Sequence, residues 1–233
     1  MQIALISDIH SNLQALEAVM ERVDEVSVDA IFCLGDVVGY GADPSACLAI
    51  VKERCSAVVL GNHDVAVSTG MHENYLPKDG RKASRHNRAA MSDEELEFLQ
   101  SFPYFLEKNG CSLAHATPLT PERWIRLSSY QLSQDQFDSF ETDVCFVGHT
   151  HKPTVISDKL GVHQVRRGHR YLINIGSVGQ PRDGDPRACV AFFDTEQYKY
   201  SLHRIEYDVE KAAERVKEEG LPKRLGKRLA RGV

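Results

Sequence analysis

The 233-residue chain has no run of 18 or more apolar residues, too few for an α-helix to cross a bilayer. Its first residues, MQIALISDIHSNL, lack a basic leader, an apolar stretch and a small-residue cleavage site, so no secretory signal is expected. Its six cysteines (Cys33, Cys47, Cys55, Cys111, Cys145 and Cys189) form no C-x-x-C pair. Four of them sit in strand-like apolar runs, which predicts buried, reduced thiols in a cytoplasmic protein rather than a disulfide framework. Positive charge is also scarce, with 28 Lys and Arg against 33 Asp and Glu and a net charge of −5. That argues against a general affinity for nucleic acid or anionic membrane, while leaving room for a local phosphate site. The chain has no nucleophilic Ser elbow, no Cys nucleophile motif, no low-complexity segment and no short fixed repeat.

What is present is an ordinary globular composition, 42% hydrophobic and 26% charged. The length suits one large domain over residues 1–233. Apolar runs at 3–6, 30–34 and 57–60 alternate with helical spacings at 13–26 and 44–54. Asn12 is placed to cap the first helix, and Pro44 to start the second. Strand–helix–strand–helix–strand is the signature of a parallel sheet. Residues 61–80 read as a long polar loop, and helices are expected at 81–91, 93–101 and 133–141. The second half is strand-rich, with runs at 111–115, 144–147, 153–157, 162–166, 171–175, 188–194 and 198–205. A basic tail at about 220–233 reads as a frayed, solvated helix.

The chemistry is written at the strand ends. Asp8-Ile9-His10 follows the first strand, Gly35-Asp36 the second, and Gly61-Asn62-His63-Asp64 the third. Residues i and i+2 of an extended segment face one side, so Asp8 and His10 can converge. His115 follows CSLA, and Gly148-His149-Thr150-His151 follows VCFV. In an open parallel sheet the carboxyl ends of the strands share one edge, where ligands bind. Singly, each motif resembles a turn or a cap. Together, Asp8, His10, Asp36, Asn62, His115, His149 and His151 make a set of two carboxylates, one amide oxygen and four imidazoles. Such a set suits Mn²⁺, Fe or Zn²⁺ better than Ca²⁺ or Mg²⁺, and is large enough for two ions sharing a carboxylate. His72, His86, His163, His169 and His203 lack this setting and are expected to be structural or superficial.

In this order, Asp-x-His, Gly-Asp, Gly-Asn-His-Asp, His and Gly-His-Thr-His resemble the calcineurin-like metallophosphoesterase superfamily. SDIHSNLQAL, CLGDVVGYGADP and INIGSVGQPRDGDPRA are similar to its small bacterial and archaeal phosphodiesterase branch, YfcE-like or diadenosine-tetraphosphatase-like. The likeness covers roughly residues 1–195. It departs at Ile175, where the family usually has Pro, and at Ser11, where it often has Gly. The resemblance implies a four-layer α/β/β/α sandwich of two mixed sheets flanked by helices. It implies a first metal on Asp8, His10 and His151, a second on Asn62, His115 and His149, and Asp36 as the bridge. Manganese is the expected metal, with Fe, Zn or Ni as substitutes.

It further implies attack by a metal-bridging hydroxide on a small-molecule phosphate ester or a nucleotide. His63 becomes the general acid beside the substrate phosphate, with Asp64 orienting its imidazole. Asn62, His63 and Arg182 are then the residues that touch substrate. Gly176-Ser177-Val178-Gly179, with Arg182 and Arg187 close by, is either a phosphate-binding loop or a brace for the metal loops. Trp124, Tyr130 and Tyr75 fall in the variable loops 65–82 and 116–132, where they either stack on a base or pack onto the domain. A catalytically silent binding module is the competing reading, weakened by the complete ligand set. Protein Ser/Thr phosphatase activity fits less well, because Val37-Val38-Gly39 follows Gly-Asp and Asp64 follows Asn62-His63 where Arg motifs would be required. Oligomeric state has no marker in the sequence.

Overall fold

The computed structural model describes residues 1–162 and 164–233. The chain begins β1 (Gln2–Ile6), α1 (Leu13–Val26), β2 (Ala30–Cys33), α2 (Pro44–Arg54) and β3 (Ala57–Val58). The side chain of Asn12 accepts a hydrogen bond from the Ala15 N–H at 3.2 Å, and Pro44 opens α2, as their positions predict. Next come α3 (Asn62–Thr69), α4 (Lys78–Ala90), α5 (Asp93–Gln100), β4 (Phe105–Lys108) and β5 (Cys111–Ala114). The chain continues through α6 (Tyr130–Gln134), β6 (Val144–Val147), β7 (Thr154–Ser157), β8 (Tyr171–Asn174), β9 (Ala188–Asp194) and β10 (Lys199–Ile205). Two helices, α7 (Val209–Glu218) and α8 (Lys223–Leu229), close it.

Two mixed five-stranded sheets result, ordered β10-β9-β1-β2-β3 and β4-β5-β6-β8-β7. β1, β2 and β3 run parallel, as do β5, β6 and β8. Side-chain alternation sorts each strand between layers. Ile3, Leu5, Phe32 and Phe193 join Leu113, Phe146, Tyr171 and Ile173 in the core between the sheets. Ala4, Ile6, Ile31 and Cys33 face the other way, onto Leu16, Val19, Val23, Leu48 and Val51 of α1 and α2. The outer face of the second sheet packs on Phe137 and Phe140. Among the described residues, eight helices flank the two sheets, and all six cysteines are free thiols. Among the described residues, no helix is long and apolar enough to cross a membrane.

Four expectations are corrected. Residues 62–69, read as loop, form α3, because Asp64 at the third helical position caps the Gly61 N–H at 3.0 Å. The helix expected at 133–141 is instead α6 at Tyr130–Gln134 followed by a single 3₁₀ turn at Phe137–Ser139. Residues 162 and 164–166 carry no strand; Val162 and Val165 pack on the inter-sheet core without joining a ladder, and residue 163 lies outside the described residues. The tail is not frayed: Leu225 and Leu229 of α8 are buried, and Leu225 packs with Val216, Ala83 and Tyr40.

Candidate metal centre

The loops leaving β1 and β2 continue their parallel pairing past the strand ends. Asp8 N–H donates to Gly35 O at 3.0 Å, His10 N–H to Asp36 O at 2.9 Å and Ser11 N–H to Val37 O at 3.0 Å. This zipped pair sits across from the loops of the second sheet, where Gly148 N–H donates to His115 O at 2.8 Å. The approach is close enough to dictate residue type. A Cβ on Gly61 would collide with the Asp36 carboxylate, and one on Gly148 with Ser7 and Asp8. The ligand-bearing turns are also strained: Asp8, His10, Asp36, His149 and His151 all have φ between 51° and 64°. Non-glycine residues held there cost of order 1–3 kcal/mol each and persist only where the surroundings fix them, which is characteristic of functional sites.

Each carboxylate has one oxygen tied down and one left over. Asp8 Oδ2 accepts from Ser7 Oγ at 2.7 Å and from the His149 N–H at 2.9 Å, whereas Oδ1 is buried without a hydrogen bond among the described residues. Asp36 Oδ1 accepts from the His63 N–H at 2.7 Å. The spare oxygens face imidazole nitrogens. His151 Nε2 lies 3.1 Å and His10 Nε2 3.7 Å from Asp8 Oδ1, while His115 Nε2 lies 3.2 Å and His10 Nε2 3.7 Å from Asp36 Oδ2.

Three of these imidazoles are aimed from behind. The Nδ1 of His10 faces Val38 O, that of His115 faces Leu34 O and that of His151 faces Gln180 O, so in each the Nε2 points inward. His149 differs, presenting Nδ1 at 3.3 Å from His115 Nε2, and Asn62 Oδ1 also lies 3.3 Å from His115 Nε2. Two groups of donors thus form, Asp8-His10-His151 and Asp36-His115-His149, with Asn62 beside the second. Asp36 also groups with His10 and His63, placing it between the two. All seven sequence-selected ligands are brought together.

The donor set fits divalent cations. Atoms about 3 Å apart have the spacing of ligands around an ion with bonds of about 2.0–2.2 Å. Burial pulls His10 and His151 below the ordinary histidine value, and His149 down to about 3, so they are neutral, the form that binds metal. Burial acts on His115 too, but the Asp36 carboxylate outweighs it and carries His115 up to about 10, a proton held where a cation fits. His10 Nε2 and His151 Nε2 approach to 3.1 Å. Two neutral imidazoles that offer lone pairs to each other this way are stabilised by a cation between them.

The remaining expectations fare unequally. His63 is buried beside the cluster, its ring 4.8 Å from that of His10, with no partner for Nδ1 among the described residues. Burial and then the Arg182 charge depress it, Asp36 opposing, to about 4. Asp64 does not orient that ring. Its carboxylate accepts from the N–H groups of Asp36 at 2.8 Å, Gly61 at 3.0 Å and Val38 at 3.2 Å, because the helix-capping position turns it toward backbone donors. Burial first, and then Asp36, raises Asp64 to about 7.

The 176–180 segment is a brace. Ser177 Oγ donates to Asp8 O at 2.8 Å, Val178 N–H to Ser7 O at 2.9 Å and Gly179 N–H to Asp8 O at 3.0 Å, leaving little for a phosphate. Arg182 remains available: it donates to Gln180 Oε1 at 2.9 Å, lies over the Tyr40 ring at 5.6 Å, and has a buried Nε without a partner. Two residues escaped the sequence reading. Tyr40 abuts both His10 and His63, at 4.8 and 4.4 Å between ring centres. Asn87 of α4 ties Ser11, Gly39 and Gly41 together. Gly39-Tyr40-Gly41 was the available signal, since glycines on both sides of an aromatic mark a close backbone approach.

Comparison with known proteins agrees with this geometry. The chain is 40% identical to an uncharacterised protein of Methanocaldococcus jannaschii, over 99% of this chain and 98% of that one. It superposes on the crystal structure of a metallophosphoesterase from Sphaerobacter thermophilus with a TM-score of 0.89 and 36% identity, covering 100% of this chain and 99% of that one. A symmetrical bis(5'-nucleosyl)-tetraphosphatase of Photobacterium profundum is 29% identical over 60% of this chain and 50% of its own length. The model of the calcineurin-like phosphoesterase superfamily domain matches residues 1–198, and the chain belongs to that superfamily.

Proposed function

We propose that the protein is a dinuclear-metal-dependent phosphoesterase that hydrolyses phosphodiester or phosphomonoester bonds of a small or nucleotide substrate. The observation that carries this reading is the pair of donor groups meeting at Asp36, each with spare carboxylate oxygen facing inward imidazole nitrogen. Asp8, His10 and His151 would hold one ion, Asn62, His115 and His149 the other, and Asp36 both. Once bound, two such ions generate a nucleophile from water at neutral pH and neutralise the phosphoryl oxygens. The mixed carboxylate and imidazole donors suit a transition metal over Ca²⁺ or Mg²⁺, and we expect Mn²⁺, with Fe, Zn²⁺ or Ni²⁺ as substitutes.

The chain's own groups complete the reaction. His63, buried beside the cluster, would give the leaving oxygen its proton from the protonated ring, a form that burial disfavours and that Asp36 and the negative charge of a bound phosphate favour. Arg182, held against Tyr40, is placed to bind a phosphoryl oxygen on that side. Asp64 fixes the turns that carry Asp36 and His63 rather than moving a proton. Six free cysteines support a reducing, cytoplasmic setting. The tetraphosphatase relative supports a nucleotide among the substrates.

The test is hydrolysis of bis-p-nitrophenyl phosphate after chelation and readdition of Mn²⁺. Activity lost on stripping and restored by Mn²⁺ is expected. No turnover with any divalent metal would favour a silent binding module instead.

A further inference from the structure

Beside the cluster, on the side of Asn62 and His149, opens a cleft of about 490 Å³. That is the size of a small-ligand site. Its walls are aromatic. His72 and Tyr75 come from the segment between α3 and α4, and Trp124 from the loop between β5 and α6. The His72 and Tyr75 rings are stacked at 5.8 Å between centres, and Trp124 meets His72 edge-on at 5.4 Å. Asn62 and His149 are the half-exposed members of the donor set, whereas Asp8, His10, Asp36, His115 and His151 are buried. The cluster therefore opens to solvent through this cleft.

Three further observations point to a ligand here. Tyr75 is 85% exposed, an aromatic ring left in water at the mouth of a cleft. Trp124 has a buried Nε1 donor without a partner among the described residues. The cleft also meets the donor set directly, because Asn62 and His149 line it.

We propose that this cleft is a specificity subsite for a planar aromatic ring attached to the substrate phosphate, held by His72, Tyr75 and Trp124. The ring chemistry that matches is a nucleobase, so the subsite selects nucleotide-like esters over phosphates lacking a base. The proposal rests on the phosphoesterase reading for the position of the phosphate, which Asn62 and His149 flank. Glu122 and Arg123, one charge of each sign, also line the cleft.

The chain's single tryptophan makes the test direct, because Trp124 emission reports this cleft alone. AMP titrated into the Mn²⁺-loaded protein is expected to change Trp124 fluorescence saturably, and ribose 5-phosphate and inorganic phosphate to leave it unchanged. Tyr75→Ala, at an exposed position, is expected to weaken AMP binding about 5- to 100-fold, the range for loss of one base-stacking ring. Equal responses to AMP and ribose 5-phosphate, or AMP binding unaffected by Tyr75→Ala, overturn the subsite. Base-dependent AMP binding in a protein that hydrolyses no ester supports the cleft and removes the phosphoesterase reading instead. Ester hydrolysis indifferent to the base removes the cleft and leaves that reading standing.

Discussion

At the scale of single residues, the proposed centre separates groups that would hold a cation from groups that hold the holders. Asp36 belongs to the first kind. Asp36→Asn removes a charge shared by both donor groups, and metal affinity and kcat are each expected to fall on the order of 100-fold or more. Metal titration by calorimetry with parallel kinetics checks this. Asp64 belongs to the second kind. Asp64→Ala leaves three buried backbone N–H groups without an acceptor, an expected loss of about 2–4 kcal/mol, read as a fall in Tm of roughly 5–15 °C. His63→Ala, by contrast, breaks no side-chain hydrogen bond and is expected to lower kcat about 10²- to 10⁴-fold with metal content retained. If Asp64→Ala kept its Tm and lost only kcat, the bracing role would be wrong and the orienting role restored.

The same distinction explains what was legible. The clustering of Asp8, His10, Asp36, Asn62, His115, His149 and His151 could be read because each closely follows an apolar run, and strand ends on one edge of a parallel sheet converge; that two sheets share the task could not be read from those runs. The role of Asp64 could not, because a carboxylate three residues into a helix serves backbone donors as readily as a neighbouring side chain. His72 was set aside because nothing near it in sequence marks it; its setting comes from Trp124, which lies 52 positions away in the chain.

At the scale of elements, periodicity served where one face is buried and failed where it is not. Residues 13–26 read as a helix from the spacing of Leu13, Leu16, Ala18, Val19, Val23 and Val26, of which Leu16, Val19 and Val23 are buried on one face. β4 was missed because Phe105–Lys108 is an edge strand with no fully buried residue, although Asn109-Gly110, both at positive φ, is a hairpin-turn signal for it. α7 was missed for a similar reason, since only Ala212 and Val216 are buried. α8 looked like a solvated tail because its basic residues hide two leucines that reach the core. Its packing matters for the site, because Leu225 supports the Tyr40 loop that walls His10 and His63. Leu225→Ala is expected to cost about 2–4 kcal/mol, read as a Tm lower by roughly 5–15 °C. Lys223→Ala, on the polar face, is expected to leave Tm within about 2 °C.

At the scale of the whole molecule, the site joins two sheets. Asp8, His10, Asp36 and Asn62 follow strands of the first, His115, His149 and His151 strands of the second, and the inter-sheet core of Leu5, Phe32, Phe146 and Ile173 lies beneath them. A cation held by both sheets, as proposed, would be a clamp across the sandwich. Metal removal should therefore lower global stability: at ion concentrations about 100-fold above Kd, the loaded protein gains about 2.7 kcal/mol per site. Chelation is expected to lower Tm by roughly 5–10 °C per ion lost, reversibly on readdition. The most direct test of the paired donor groups is the metal count itself. Calorimetric titration of the chelator-stripped protein with Mn²⁺, checked by elemental analysis, should give two ions per chain, with Asp36→Asn weakening both and phosphodiester hydrolysis rising with loading. A single ion per chain, or two ions whose affinity Asp36→Asn leaves unchanged, would contradict it.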